Sequence, residues 1–110
     1  MKDREVEFQK SLIQSQNALF EDVEKKRVLE ALVSNFPDFS TFYPLDWIPE
    51  QGEDIYIILI NKLLVVKVEV DKFDKDKEAH LEIISIKEYR KNLSKIGRLK
   101  LAVALDLANL

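Results

Sequence analysis

Hydrophobic and polar positions change their period along this chain, and the changes mark out its elements. Residues 3–35 contain neither Gly nor Pro, and their apolar side chains recur at helical intervals. Projected at about 100° per residue, Leu12, Ile13, Leu19, Phe20 and Val23 gather on one side. Val28, Leu29, Leu32, Val33 and Phe36 gather on nearly the opposite side. The region is therefore expected to be two helices, or a single bent one, with the change of face at Glu24-Lys25-Lys26-Arg27. A long uninterrupted helix that packs on a partner chain is the alternative. Pro37 ends the region, because the residue before a proline is driven out of the helical basin.

The period then shortens to two. Ile55–Ile60 and Leu63–Val70 are rich in branched residues and flank Asn61-Lys62, which predicts a hairpin because Asn tolerates positive φ. Val66, Val68 and Val70 alternate with Lys67, Glu69 and Asp71, so that strand has one buried and one wet face. After the charged connection 71–79, His80–Ile84 returns as a third strand, giving an antiparallel meander. Ser85-Ile86-Lys87-Glu88 is a capping box, with Ile84 and Tyr89 placed as its hydrophobic staple. Beyond it Tyr89, Leu93, Ile96, Leu99 (or the stem of Lys100), Val103, Leu107 and Leu110 recur at spacings of three and four as one apolar stripe. Gly97, costly inside a helix by about 1 kcal/mol against Ala, points to a close neighbour there.

The expected fold class is α+β: N-terminal helices, a three-stranded antiparallel meander, and one long C-terminal helix packed on the oily side of the sheet. The expected layout is one domain over residues 1–110, with helices over 3–35, a connection over 36–54, the sheet over 55–84 and the last helix over 86–110. A chain of 110 residues has little room for a second core. With 46% hydrophobic and 34% charged residues it lacks the composition of a disordered chain.

Composition then removes several kinds of chemistry. Seventeen Lys and Arg stand against 20 Asp and Glu, a net charge of −3, so nothing draws the whole molecule to nucleic acid or to an anionic membrane. Cysteine is absent, which excludes disulfides, thiolate metal sites and thiol nucleophiles and fits a cytoplasmic setting. MKDREVEFQK has no apolar stretch and is not a signal peptide, and no apolar run reaches bilayer length. Neither a glycine-rich phosphate loop nor a dinucleotide fingerprint is present, so no cofactor is expected. His80 has no second imidazole to complete a zinc site, and the acids Asp74, Asp76 and Glu78 lack the glycine of a calcium loop.

Three surfaces remain. The connection 36–54 carries Phe39, Phe42, Tyr43 and Trp47, too many aromatics for a simple solvated loop. They form either a lid on the core or a patch that grips a partner, since Trp and Tyr dominate interface energetics. Lys87, Lys91, Lys95 and Arg98 share one sector of the last helix and could meet phosphates or an acidic protein. Finally, Asp54 precedes one strand, and Glu69 lies on the next with Lys67 and Asp71 on the same face.

In its order of helix, acid, hairpin, acidic strand and helix, this last arrangement resembles the PD-(D/E)xK nuclease superfamily over residues 21–110. The resemblance implies Mg²⁺ held by Asp54 and Glu69 for phosphodiester hydrolysis. The family pattern has Lys two residues after its Glu, where this chain has Asp71, and Lys67 lies on the other side of Glu69. The leading expectation is a non-catalytic, self-associating protein-interaction or regulatory domain. A metal-dependent nuclease and a nucleic-acid binder using the basic helix face are the alternatives.

Overall fold

The structure, a computed structural model, describes residues 2–109. It opens with α1, Lys2–Glu21, and α2, Lys26–Asn35, joined by a 3-10 turn at Val23–Lys25. The change of apolar face is thus a break between two helices. Asp22 makes the break: its backbone is extended, and its carboxylate accepts the Glu24 N–H at 3.0 Å. A donor that the new helix would otherwise leave unpaired is satisfied this way.

Four strands follow, β1 Phe42–Pro49, β2 Glu53–Ile60, β3 Leu64–Asp71 and β4 His80–Ile84, in the order β1-β2-β3-β4 with every pair antiparallel. The sheet has one strand more than expected, and the extra strand comes out of the segment expected to be a connection. Pro44 and Pro49 disguise it. A proline cannot donate to a ladder, so it is tolerated in a strand only at a sheet edge, which is where β1 lies. The β2–β3 turn spans Asn61–Leu63, one residue longer than the expected Asn61-Lys62 turn, with Asn61 at φ 52.

Both faces of the sheet are covered. On the first, Tyr43, Leu45, Ile57, Leu59 and Val65 pack with Leu12 of α1 and with the C-terminal helix. On the second, Phe42, Tyr56, Ile58, Val66 and Val68 pack with Val28 and Leu32 of α2 and with Leu19. Two-sided cover is why Ile55–Ile60 reads as an unbroken apolar run rather than an alternation. It also corrects one pairing: the valine row of β3 is buried as expected, but by α2, whereas the closing helix lies on the opposite face. Leu12 and Leu19 belong to different clusters because α1 runs along the β1 edge and reaches both sides.

The single C-terminal helix expected over 86–110 is two helices, α3 Ile86–Lys91 and α4 Lys95–Ala108. Ser85 caps α3 as expected, accepting the Glu88 N–H at 3.1 Å. A second cap, unread in the sequence, starts α4, where Ser94 accepts the Gly97 N–H at 3.1 Å. A Cβ on Gly97 would lie 3.3 Å from the Leu93 side chain, so the close neighbour of this glycine is its own capping turn. Leu101, Val103, Ala104 and Leu107 of α4 are buried, which accounts for the apolar character of the segment.

Candidate functional site

The proposed acidic site is not assembled. Register pairs Asp54 with Val70 and Ile55 with Glu69, and successive residues of a strand face opposite ways. Asp54 therefore lies on the second face beside Tyr56, and Glu69 lies on the first. Each has its own partner. The Asp54 carboxylate meets Lys72 Nζ at 3.6 Å, while Glu69 meets Lys67 Nζ at 3.2 Å on the same strand. The hydrogen bond to Glu69 holds the Lys67 ammonium above its ordinary pKa, with Glu82 and Glu53 adding to the effect. Asp71 Oδ1 accepts the backbone N–H groups of Phe73 and Asp74, both at 2.8 Å. Those bonds, Asp74 foremost, hold its carboxyl below the usual carboxylate range. Among the described residues, no group of three His, Asp or Glu side chains is arranged to hold a metal ion.

The loop after β3 is fixed from outside as well. Arg27 of α2 donates to the carbonyls of Asp71 at 2.8 Å, Asp74 at 3.2 Å and Lys77 at 2.8 Å. The acidic residues Asp74, Asp76 and Glu78 thus belong to a turn that Arg27 and Asp71 organise.

The basic sector is redistributed by the break before α4. Arg98 folds back on α3, its Nε donating to the Arg90 carbonyl at 3.3 Å and its Nη2 to the Lys91 carbonyl at 3.5 Å. It thereby satisfies carbonyls at the C-terminus of a short helix. Lys91 pairs with Glu88 at 3.3 Å. Lys87 stays on α3 and Lys95 begins α4, so the four side chains no longer share one continuous helical face.

The four aromatics separate by burial. Phe42 is fully buried, stacked on Phe39 with ring centroids 3.8 Å apart, and Tyr43 is buried on the other face. Those three are packed into the two clusters of the core. Trp47 alone is open, with 56% of its surface exposed.

Trp47 is nevertheless held in place. A bulge between Pro44 and Asp46 inserts Leu45 as an unpaired residue of β1. Strict alternation from Tyr43 would set Trp47 on the first face; the inserted residue moves it to the second, opposite Tyr56. There the indole stacks on Tyr56 at 6.4 Å between centroids and 13° between planes, and its Nε1–H donates to Asp54 Oδ1 at 3.3 Å. Burial raises the Tyr56 phenol's pKa, and the Asp54 charge adds to it. Next to this ledge lies a depression of about 360 Å³, lined by Val23, Val28, Tyr56, Val70, Lys72 and neighbouring charges. Sequence reasoning marked Trp47 and Asp54 separately and missed that they touch; the signal was the bulge, which Pro44 conceals.

Comparison with family models, with curated proteins and with solved structures returns no match. Among the described residues no helix is long and apolar enough to cross a membrane.

Proposed function

We propose that this chain is a non-catalytic protein-interaction domain whose contact residue is Trp47, and that it self-associates. One observation carries the reading: a tryptophan that is more than half exposed is also clamped, by a ring stack and a hydrogen bond, onto a β-bulge. An exposed indole held in one orientation loses little freedom when a partner covers it. That is the property of an interface anchor.

The neighbouring charges fit the role. Lys25 lines the same cleft as the indole, Asp54 accepts the indole N–H, and Lys72 pairs with Asp54, which together supply a polar edge beside an apolar centre. The bound partner is expected to place an apolar side chain in the depression beside Tyr56 while covering the indole face.

A photo-crosslinking amino acid at position 23, an exposed residue lining the depression beside Tyr56, leaves Trp47 intact and tests this in the full chain expressed in its native cells. The same group at the exposed position 38 is the control. A discrete adduct formed only from position 23, lost when unmodified protein competes and lost with Trp47→Ala, is the expected result. Identical labelling from both positions, or an adduct from position 23 that persists with Trp47→Ala, overturns the reading.

A further inference from the structure

The two edges of the sheet are built differently. β1 carries Pro44, Pro49 and a bulge, and α1 packs along it. These are the standard protections of an edge strand. β4 has none of them: its sequence His80–Ile84 contains no proline, no lysine and no bulge. Among the described residues, no helix packs along β4 as α1 does along β1.

The chain also leaves the plane of the sheet on both sides of β4. Before the strand, the loop is drawn toward α2 on the second face by the three Arg27 hydrogen bonds. After it, Ile86 and Tyr89 of α3 pack into the cluster on the first face. Nothing described therefore stands across the outer edge. Ile83, the penultimate residue of that edge strand, is 62% exposed although it faces the same side as Leu81 and lies opposite Val66.

We infer that β4 is where a second copy of this chain pairs, antiparallel, extending the sheet across a two-fold axis. This deepens the self-association part of the function proposed above and rests on it. The β4 sequence itself selects the register. Centring the axis on Glu82 sets that carboxylate against its own copy, an unfavourable like-charge pair. Centring it on Leu81 pairs His80 with the second copy's Glu82, and by symmetry again in reverse. An imidazole N–H then donates to a carboxylate at both places. On the other face, the same register lays Leu81 against Leu81 of the second copy, with Ile83 next along each strand on that face, forming an apolar patch. Charge and apolar complementarity thus agree on one arrangement, with a second copy as the occupant. Since β1 is the opposite edge, the two Trp47 ledges lie at the far ends of the joined sheet, and pairing leaves both free.

Sedimentation equilibrium on the full chain, up to about 200 µM so that micromolar association is seen, gives the test. The wild type is expected to be a monomer–dimer mixture with concentration-dependent amide protection in β4. Emission from Trp47, the only tryptophan, should stay constant throughout. Ile83→Asp should abolish the dimer with the far-UV spectrum unchanged. His80→Glu, which faces carboxylates across the axis, should weaken it about tenfold or more. The exchange His80→Glu with Glu82→His restores both pairs in reverse and should recover the wild-type affinity to within a few-fold.

A dimer unaffected by Ile83→Asp and His80→Glu overturns the β4 assignment while self-association stands. A wild-type monomer at every concentration removes both. Weakening by His80→Glu without recovery in the exchange variant overturns the Leu81-centred register. Should Ile83→Asp fail to fold, amide protection in the wild type decides the edge: protection of β4 independent of concentration counts against it.

Discussion

Asn61 joins the β2–β3 turn to the start of β1, and replacing it separates two energies that the fold combines. Its backbone sits at φ 52, the only positive value at a non-glycine residue among those described. Its side-chain oxygen accepts the Ser40 N–H at 2.9 Å, the Ser40 hydroxyl at 2.8 Å and the Thr41 N–H at 2.9 Å. The Asn61 N–H in turn donates to the Thr41 carbonyl at 2.8 Å. Asn61→Gly keeps the conformation and loses the three accepted bonds. Each such bond contributes about 0.5–1.5 kcal/mol net, and the two from exposed Ser40 are partly replaced by water, so the loss is about 1–2 kcal/mol. Asn61→Ala loses the same bonds and must also hold a left-handed backbone. After allowance for the greater unfolded-state freedom of Gly, that adds about 1 kcal/mol, for about 2–3 kcal/mol in all. Asn61→Asp retains both acceptor and conformation and should fall within about 0.5 kcal/mol of wild type. Urea unfolding followed by far-UV circular dichroism measures the series. With a slope of about 1.5 kcal/mol per molar, Asn61→Ala lowers the midpoint by roughly 1.5 M. Equal midpoints for the Ala and Gly variants would refute the backbone argument. A wild-type midpoint for the Gly variant would refute the side-chain argument.

Other changes give separate expectations. Asp54→Ala removes the acceptor of the indole N–H, so the steady-state anisotropy of Trp47 emission should drop while the fold persists. Arg27→Met leaves three loop carbonyls without their donor, and amide exchange across residues 72–79 should accelerate more than in the rest of the sheet. Thr41 Oγ1 is buried with no hydrogen-bond partner, so Thr41→Val should stabilise the protein by about 1 kcal/mol in the same urea assay. Asp71 has a folded pKa below its unfolded one, so its contribution is complete above about pH 4 and is lost as pH falls through the folded value. Asp71→Asn should accordingly flatten the acid limb of a stability–pH profile.

The N-terminal helices with a change of face between them, the start of α3 and three of the four strands were legible because each rests on a local rule. Ser85 caps wherever its neighbours are helical, and the apolar period of two in β3 holds whichever helix covers it. β1 was illegible because Pro44 and Pro49 argue against a strand everywhere except at an edge, and edge position is a property of the assembled sheet. The break before α4 had a local sign in Ser94, masked by an apolar stripe that continues through Leu93 and Ile96 at helical spacing.

By itself, the order of residues determined which side chains avoid water and at what interval, and so the existence of the helices, the hairpin and their caps. It determined the absence of thiol chemistry as well. Tertiary structure decided which faces meet. It set α2 rather than the closing helix over the valine row, and Asp54 and Glu69 on opposite sides of the sheet. It also turned Trp47, by one inserted residue in β1, from the face of Tyr43 to that of Tyr56 and Asp54. The physical reason is the two-residue period of a strand: a single-residue change of register, invisible in composition, reverses every side chain beyond it.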